Sequence, residues 1–423
     1  MLGIIAIIPC FSFESLDSNQ INRPISEENL NLSSGTWDPV INKLIIGTPH
    51  HIFIEDVNND GLDDIIATCS NHDNISILLW NTTSRDWDAI YKEVGENPSY
   101  FFVGDANNDG FNDIAVSNVL TVNITILLWN ETISDWDDQI KKPVGWSPYD
   151  IFIGDVNADG YNDILTSIDN AFSILFWNES SGVWDAPIVK PAGGFPEEVY
   201  LGDANNDGYN DIISINEFEF DCNVTVDPWN DVLKDWDPQI ILNAGEDFTD
   251  AFVEDVNNDG KNDIVVCNSF HDIVSILLWN DTISNWNDRI TIKVGDTPLP
   301  NDSPLGVYVE DVNNDNLNDI VTANYEANTV SIFLWNNAIG DWEDEITKNV
   351  GTGPISIFVG DANNDGYNDI VTANYDSNYI SILLWHEESA SIIPGYDIFF
   401  LLIIIGAISA ISIKKLKRNS NKI

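Results

Sequence analysis

Basic residues are scarce in this sequence, and their scarcity excludes one class of partner. The 423 residues include 17 Lys and Arg against 69 Asp and Glu, which gives a formal net charge of −52. Because proteins that bind nucleic acid use clustered Lys and Arg to contact phosphates, we exclude nucleic acid as a partner. The acidity does not indicate disorder, since 43% of the residues are hydrophobic and 15 are Trp. A large packed core is therefore expected.

Cysteine and histidine are also scarce. Cys10 lies in an apolar amino-terminal segment, and Cys69, Cys222 and Cys267 are widely separated, so the sequence has no disulfide framework and no Cys-x-x-Cys metal site. The five His show no His-Glu-x-x-His spacing, and neither a Gly-x-Ser-x-Gly sequence nor a P-loop occurs. Without a recognisable catalytic motif, we predict a protein that is not an enzyme.

Apolar segments mark both ends of the chain. The first resembles a secretory signal without the usual positive start, and a wrongly assigned start codon is the alternative. The second would span about 24 Å as a helix and precedes four basic residues, which predicts a single-pass plasma-membrane anchor with the preceding chain outside the cell. A buried core helix is the alternative. The predicted order is a signal segment at 1–20, a linker at 21–36, a repeat domain at 37–386, a linker at 387–397, the transmembrane helix at 398–413 and a basic cytoplasmic tail at 414–423.

Potential N-glycosylation sequences agree with export of the chain. Asn-x-Ser/Thr is common in so Asn-rich a sequence by chance alone, so these sites support a surface glycoprotein only in combination with the terminal segments. They occur at Asn31, Asn74, Asn81, Asn123, Asn130, Asn178, Asn223, Asn280 and Asn301.

The dominant feature of the sequence is an internal repeat. The string Asp-x-Asn-x-Asp-Gly-x-x-Asp recurs at intervals of 49, 50, 48, 52, 56 and 50 residues, and in the sixth copy Asn316 replaces Gly. Its seven copies begin at Asp56, Asp105, Asp155, Asp203, Asp255, Asp311 and Asp361. A period near fifty residues is typical of solenoids, propellers and repeat arrays.

The pattern within each unit decides between these architectures. No useful helical periodicity occurs between residues 37 and 386, and each unit contains four short β-branched or aromatic runs separated by Asn, Asp, Gly and Pro. Four strands repeated seven times predict an all-β, seven-bladed β-propeller of four-stranded blades, followed by the transmembrane helix. A straight solenoid would need capping units at both ends.

Tryptophan spacing predicts how the ring closes. Six units carry two Trp seven residues apart, but the seventh has Trp385 with no partner downstream. The second Trp of this unit is found at Trp37, near the amino terminus. The residues after Trp37 look like the fourth strand of a unit whose first three strands do not precede it. We therefore predict that residues 38–46 form the outer strand of the last blade, beside residues 380–385.

The acidic strings have the composition of a site for a hard cation. Oxygens at positions 1, 3, 5 and 9 can converge in a tight loop, the backbone carbonyl of position 7 can join them, and Gly at position 6 permits positive φ. This all-oxygen set favours Ca²⁺ over Zn²⁺, Cu²⁺ or Mg²⁺, whereas plain Asn/Asp-rich turns are the structural alternative. Asn316 tolerates left-handed angles and is expected to weaken, not abolish, the sixth site.

One Ca²⁺ per blade, up to seven in all, would have a structural role. The predicted ligands are Asp56, Asn58, Asp60, Leu62 and Asp64; Asp105, Asn107, Asp109, Phe111 and Asp113; Asp155, Asn157, Asp159, Tyr161 and Asp163; Asp203, Asn205, Asp207, Tyr209 and Asp211; Asp255, Asn257, Asp259, Lys261 and Asp263; Asp311, Asn313, Asp315, Leu317 and Asp319; and Asp361, Asn363, Asp365, Tyr367 and Asp369.

With these strings and strands, residues 37–386 resemble the FG-GAP and VCBS-type repeats of calcium-binding propellers, including the propeller of integrin α chains. The Phe-Gly and Gly-Ala-Pro flanks of the integrin repeats are not both present. The resemblance implies metal loops on one face and ligand recognition by loops of the other. The loop residues that this implies are His50, His51, Tyr100, Tyr149 and Asp150, and, between second and third strands, His72, Phe270, His271, Tyr325 and Tyr375. The aromatic residues in the middle of first strands, such as Phe53, Phe152, Tyr200 and Phe358, are expected to pack in the core.

The predicted function is a membrane-anchored, calcium-binding propeller that recognises an extracellular protein or glycan ligand in adhesion. A polysaccharide-binding or polysaccharide-degrading, lyase-like propeller is the alternative, because related calcium propellers include both. Adjacent His50 and His51 could serve an active centre, although a pair in a solvent-exposed loop is the plainer interpretation. A purely structural cell-wall component is the third possibility.

Overall fold

The computed structural model describes residues 35–217, 223–245, 248–295 and 302–387 of the chain. These residues form seven four-stranded antiparallel sheets. Six sheets each come from one continuous segment of the chain, and the seventh takes its fourth strand from the amino-terminal end. The first strand of each sheet contacts the first strands of the sheets before and after it, and the first sheet contacts the seventh. The described chain is therefore a closed seven-bladed propeller, as the repeat predicted. The predicted anchor at 398–413 lies outside the described residues, and within them no helix is long and apolar enough to cross a membrane.

The blades are numbered in chain order, and their strands run from the inner strand at the axis to the outer strand at the rim. Blades 1 to 3 comprise Pro49–Glu55, Asp64–Cys69, Asn74–Asn81 and Asp86–Glu93; Pro98–Gly104, Asp113–Asn118, Asn123–Leu127 and Ile140–Pro143; and Ile151–Gly154, Asp163–Ile168, Ala171–Leu175 and Ile188–Pro191. Blades 4 and 5 comprise Phe195–Gly202, Asp211–Glu217, Asn223–Asp227 and Ile240–Leu242; and Phe248–Glu254, Asp263–Asn268, Ile273–Leu277 and Ile290–Lys293. Blades 6 and 7 comprise Pro304–Glu310, Asp319–Asn324, Thr329–Phe333 and Ile346–Asn349; and Pro354–Gly360, Asp369–Asn374, Tyr379–Leu383 and Ile41–Leu44.

A small two-stranded ribbon follows the third strand in most blades, which the sequence pattern did not predict. Its strands are two or three residues long and pair the two Trp of each unit. The ribbons are Trp129–Asn130 with Asp135–Trp136, Trp177–Asn178 with Val183–Trp184, Trp229–Asn230 with Asp235–Trp236, Trp279–Asn280 with Asn285–Trp286, Trp335–Asn336 with Asp341–Trp342, and Gly35–Trp37 with Trp385–Glu387. The only helix in the described ranges is the single 3₁₀ turn Ser269–His271.

Ring closure follows the prediction, with shorter boundaries. Ile41–Leu44 pairs with Tyr379–Leu383 as the outer strand of blade 7, inside the predicted 38–46. Trp37 lies opposite Trp385, and their ring centroids are 4.5 Å apart. The other six Trp pairs have the same edge-on arrangement at 4.8 to 5.1 Å. The two ends of the propeller thus rebuild one complete unit without a covalent link.

The hydrophobic core lies between blades. Seven buried clusters each combine residues of two neighbouring blades. The cluster between blades 7 and 1 contains Ile45, Ile380 and Ile382, so the amino-terminal strand helps to bury it. Second strands are buried along their length because blades cover both of their faces.

Several of the few Lys residues lie at the joints between blades. The Lys ammonium of an outer strand lies 5.0 to 5.5 Å from the Trp ring of the next blade at five joints. At the other two joints Leu242 and Ile292 take this position and pack in the apolar cluster. A cation over an indole face and an aliphatic side chain are thus alternative ways to cover the same ring.

Candidate metal loops and axial cavity

Each acidic string curls around its first carboxylate. In blade 1, Asp56 Oδ1 accepts a hydrogen bond from the backbone N of Asp60 at 2.9 Å, and Asp56 Oδ2 accepts one from the backbone N of Gly61 at 2.8 Å. The other six loops repeat both bonds at 2.6 to 3.1 Å. The seven loops therefore share one backbone geometry.

The sixth position requires a left-handed backbone. Six loops have Gly there with φ between 85° and 93°, and Asn316 adopts φ 67° in the sixth. The backbone N of Asn316 still donates to Asp311 Oδ2, at 2.6 Å. The sixth loop therefore keeps the shared geometry, because Asn is one of the few side chains that tolerate this conformation. That Asn316 weakens the sixth metal site without abolishing it stays a prediction.

The ninth residue joins the loop to the sheet. Asp64 is fully buried, and its Oδ1 accepts a hydrogen bond from the backbone N of Trp80 at 2.7 Å. The other six loops have the same bond at 2.7 to 2.9 Å. In four loops the second oxygen of this Asp is buried without a hydrogen-bond partner, namely in Asp64, Asp263, Asp319 and Asp369.

A hard cation would be coordinated by buried oxygens that lack other partners, and the acidic loops supply such oxygens. Burial, followed by the carboxylates of positions 1 and 5, raises the pKa of Asp64, Asp319 and Asp369 to about 8. The amide oxygens at position 3 of three loops, Asn157, Asn257 and Asn363, are also buried without a partner. A cation would supply the missing partner and offset the repulsion.

The carboxylates alone do not form a compact metal cluster. Nowhere in the described residues do three His, Cys, Asp or Glu side chains converge closely enough for one. A loop would have to complete its set with the Asn oxygen of position 3 and the carbonyl of position 7. Such a mixed oxygen set suits Ca²⁺, whose coordination is flexible.

Sequence reasoning missed a second role of the loops, which is to bond neighbouring blades. The Asn at position 4 of one loop exchanges two hydrogen bonds with the backbone of position 8 in the next, as Asn59 does with Asn112 at 2.7 and 3.0 Å. The side chain of Asn112 donates in turn to the carbonyl of Asp56. Asn recurs at positions 4 and 8 of nearly every unit, so the signal was present in the sequence.

The Asn side chains at positions 4 and 8 form a ring of hydrogen bonds between neighbouring blades, which we call the amide belt. Two of the joints between blades depart from its pattern. Ala158 occupies position 4 of blade 3, so only Asn210 remains to bond blade 4 to blade 3, through the carbonyl of Asp155. At the closing joint Asp63 occupies position 8 and keeps its two backbone bonds to Asn364, but a carboxylate cannot donate to the carbonyl of Asp361. Burial, Glu55 and Asp361 raise the pKa of Asp63 to about 6.

Seven aromatic rings surround the axis of the propeller. Each inner strand contributes one, and neighbouring centroids are 4.1 to 5.4 Å apart around a closed ring. Its members are Phe53, Phe102, Phe152, Tyr200, Phe252, Tyr308 and Phe358. They pack against the interblade clusters, as predicted for the middle of first strands, and they also line an axial cavity of about 290 Å³.

Polar residues form the next layer of this cavity, two positions earlier on the inner strands. The layer includes His51, Tyr100, Asp150, Glu198 and Asp250. The His51 and Tyr100 ring centroids are 4.7 Å apart, and the Tyr100 hydroxyl donates to Glu198 Oε1 at 2.6 Å. Glu198 and Asp250 share a side-chain hydrogen bond, so this carboxyl pair holds a proton.

The structure brings together part of the implied set. His50 and His51 lie on the inner strand of blade 1, where burial desolvates them, so the expectation of a solvent-exposed loop pair is wrong. His50 and Tyr149 lie against Tyr100, with ring centroids 5.6 Å away in both cases, and Tyr375 lies 6.3 Å from His50. Of the implied residues, His51, Tyr100 and Asp150 line the cavity, whereas His50, Tyr149, Tyr375, His72, Phe270, His271 and Tyr325 are not among the residues that line it. Glu198 and Asp250 were missed, although the period-2 register that places His51 and Asp150 at the axis also selects them.

Burial dominates the electrostatics of the polar layer. It lowers the pKa of His50 to about 4 and that of His51 to about 3, so both imidazoles are neutral at pH 7. It also raises the pKa of Asp150 to about 7 and those of Glu198 and Tyr100 well above their usual ranges. None of the described residues lining the cavity is Lys or Arg. His51 Nδ1 is buried there without a hydrogen-bond partner.

Comparison with solved structures supports the fold. A chain of Kuenenia stuttgartiensis hydrazine synthase is similar with a TM-score of 0.57 at 12% identity, over 81% of this chain and 96% of that one. A chain from the crystal structure of BBS1N in complex with ARL6DN, soaked with mercury, gives 0.56 at 10% identity, over 84% and 98%. At such identities the likeness concerns the fold alone, and no curated protein matches the chain.

The sequence repeat itself identifies the family. The FG-GAP-like repeat model matches residues 56–116, 155–214, 255–322 and 311–372, which is more than half of the chain. Every matched segment begins at the first Asp of an acidic loop and continues into the second strand of the following blade. This chain therefore belongs to the FG-GAP-like repeat family.

Proposed function

We propose that this chain is a calcium-stabilised propeller, displayed outside the cell on a carboxyl-terminal anchor, that recognises an extracellular protein or glycan in adhesion. The observation that carries the calcium part is the set of buried, unpartnered oxygens in loops of one repeated geometry. In such a loop Ca²⁺ would replace electrostatic repulsion between carboxylates with shared coordination. Ca²⁺ would thereby hold each inner strand to its second strand.

The chain's own residues define what each loop contributes. The carboxylates of positions 1, 5 and 9 supply charge, and the Asn of position 3 and the carbonyl of position 7 complete the oxygen set. The hydrogen bonds from the backbone N atoms of positions 5 and 6 already hold the first carboxylate in place. The first carboxylate is thus already oriented within the loop before a cation binds.

Display outside the cell rests on the terminal segments of the sequence. The apolar stretch at 398–413 followed by basic residues supports anchoring with a cytoplasmic tail. Protease treatment of intact cells tests this arrangement directly. It should remove the propeller from the cell surface and leave a short membrane-bound fragment; full protection of the propeller would overturn display.

Recognition is proposed at the face opposite the metal loops, where the axial cavity and the differing interblade segments lie. Repeated scaffolds commonly carry function on such variable segments. The purified full chain should be incubated with arrayed glycans and with extracellular proteins, with and without Ca²⁺. Binding without turnover supports recognition, whereas an absence of any ligand would favour a purely structural wall component.

A polysaccharide-degrading activity is the second candidate, because the neutral His51, Tyr100 and carboxyls of raised pKa converge in the cavity. Groups with shifted pKa values in a cavity are typical of catalytic sites. Tyr100 is poorly suited as a base, however, because its hydroxyl already donates to Glu198. We therefore propose binding without catalysis, and cleavage products from any bound polysaccharide would overturn that choice.

A further inference from the structure

The polar layer of the axial cavity is acidic, and part of its charge is removed by the proton that Glu198 and Asp250 share. Asp150 directly precedes the inner strand of blade 3, and Glu198 and Asp250 lie on the inner strands of blades 4 and 5. The cavity lining described in the structure contains no Lys or Arg. Backbone N atoms satisfy part of this layer, as Val199 does by donating to Asp150 Oδ2 at 2.8 Å and Val307 to Asp250 Oδ2 at 2.7 Å. These neutral donors leave the net charge of the layer unchanged.

A ring nitrogen of the same layer also lacks a hydrogen-bond partner. His51 Nδ1 is buried without a hydrogen-bond partner, and the His51 ring packs against Tyr100, which donates to Glu198. Burial keeps the His51 imidazole neutral, so one of its nitrogens has a free lone pair. A ligand that donates several hydrogen bonds would satisfy both His51 and the carboxyls.

The adjacent layer consists entirely of aromatic rings. The seven rings contact one another around the axis, and all of them line the cavity. Aromatic faces attract organic cations and alkyl groups, whereas a hard metal ion prefers oxygen ligands on all sides. No three acidic or His side chains among the described residues are placed for metal coordination either.

We propose that the axial cavity binds an alkylammonium group, with the ammonium against Asp150, Glu198 and Asp250 and the alkyl chain against the aromatic ring. The ammonium supplies three N–H donors and one positive charge, which match the oxygen acceptors and the acidic character of the polar layer. A volume of about 290 Å³ accommodates a small amine or the side chain of a lysine on a partner protein. This inference deepens the proposed recognition, because it names the chemical group that the opposite face accepts.

The test is an NMR titration of the full chain, with Ca²⁺ present, using n-butylammonium as the probe. Ring currents of the surrounding aromatic residues should shift the butyl protons upfield, and binding should saturate. n-Butanol has a similar shape but no charge and should bind at least about tenfold more weakly. Equal binding of the alcohol, or no saturable binding of the amine, would overturn the proposal.

Two variants and a matched control locate the site. Asp150→Asn and Asp250→Asn each remove one acidic group from the layer and should weaken butylammonium binding about tenfold. Glu254→Gln, on the same inner strand as Asp250 but beyond the aromatic layer, should leave binding unchanged. Unaltered affinity in both cavity variants, or an equal loss in the control, would contradict the assignment.

Folding of each variant is checked separately by its calcium-dependent melting temperature. That measurement also separates this inference from the proposed function. A chain that gains stability from Ca²⁺ and binds an extracellular ligand, yet ignores butylammonium, refutes the cavity assignment alone.

Discussion

At the residue scale, the ninth Asp of each loop is the most constrained side chain of the repeat. Asp64 is buried, one oxygen binds the backbone of Trp80, and the other has no partner. Asp64→Asn keeps an oxygen for Trp80 and removes the charge. In chelator the variant should melt higher than the parent, because an uncompensated buried carboxylate costs about 1–3 kcal/mol.

The same variant should respond less to calcium. With Ca²⁺ in excess, Asp64→Asn should gain less stability than the parent, because one ligand carboxylate is lost. Differential scanning calorimetry with and without chelator measures both effects. The exposed Asp138→Asn serves as the control and should change neither. A calcium response in Asp64→Asn equal to that of the parent would refute the ligand role of Asp64.

The axial carboxyls predict a dependence of stability on pH. Burial, and then the carboxylate of Asp250, raises the pKa of Glu198 well above its usual range in the folded chain. As pH rises, the unfolded chain therefore loses the Glu198 proton first, and the folded chain keeps it to a higher pH. The stabilisation is complete below the unfolded pKa and is lost as pH rises towards the folded pKa. The free energy of unfolding should therefore fall between about pH 5 and pH 8.

Glu198→Gln should reduce the decrease in the free energy of unfolding with rising pH. The Gln side chain can accept from Tyr100 and donate to Asp250 at every pH, which replaces the shared proton. At pH 8 the variant should be more stable than the parent by roughly 1.5–3 kcal/mol, the usual range for a hydrogen bond to a charged group. Urea titrations at several pH values, all in saturating Ca²⁺, give the slope, and identical slopes in parent and variant would contradict this account.

Some residue roles were predictable and others were not. Asn316 could be assigned a left-handed backbone from its place in the string, because Gly occupies that place in the other six copies. The partners of Glu198 could not be assigned, since they depend on where three inner strands meet at the axis. Period-2 alternation indicates which side chains face inward but gives no distances across the ring.

At the scale of elements, the amide belt joins blades that share little covalent connection. The joint between blades 3 and 4 lacks one amide, because Ala158 stands where other loops have Asn. Ala158 also adopts φ 55°, which a residue with a plain Cβ tolerates less well than Asn does. Ala158→Asn should therefore stabilise the chain by about 1 kcal/mol through two new hydrogen bonds and reduced strain.

The reciprocal substitution provides the matched comparison. Asn108→Ala removes the side chain that bonds Asn162 at 2.7 and 3.0 Å, and it should destabilise the chain by a similar amount. Both variants are compared with the parent by urea denaturation at fixed Ca²⁺. If Ala158→Asn lowered the free energy of unfolding, the belt would have no stabilising role at this joint.

The Trp-Asn ribbons also change the interpretation of the glycosylation sequences. The side-chain N of Asn81 donates to Asp88 at 2.7 Å and that of Asn130 donates to Asp137 at 2.7 Å. Asn178 and Asn280 make the equivalent bonds. A glycan is attached through this same nitrogen, so a turn-forming role explains the recurrence of Asn at these four sites.

At the scale of the whole molecule, ring closure depends on a strand from the other end of the chain. Ile41–Leu44 covers the third strand of blade 7, and Asn42 accepts a hydrogen bond from the Ser381 hydroxyl at 2.7 Å. Removal of residues 35–46 should expose the buried cluster between blades 7 and 1 and abolish most of the thermal stability. The melting temperature of this deletion, against the exposed Leu44→Ser as control, measures the effect, and an unchanged value would refute closure.

Architecture was the most predictable level, and the reason is repetition. Seven copies of one pattern make the number of blades, the strands per blade and the split blade readable from spacing alone. The ribbons between third and fourth strands were missed because two-residue strands leave no hydrophobic alternation. The cavity was missed because it exists only after seven inner strands, distant in sequence, are arranged around one axis.

The central claim is that the acidic loops bind calcium and thereby stabilise the propeller. It is tested most directly by calorimetric unfolding of the full chain, first in chelator and then at increasing Ca²⁺, together with the number of Ca²⁺ ions bound. We predict a large rise in melting temperature that saturates as up to seven ions bind, with Mg²⁺ much less effective. A melting temperature that is the same in chelator and in saturating Ca²⁺ would contradict the account.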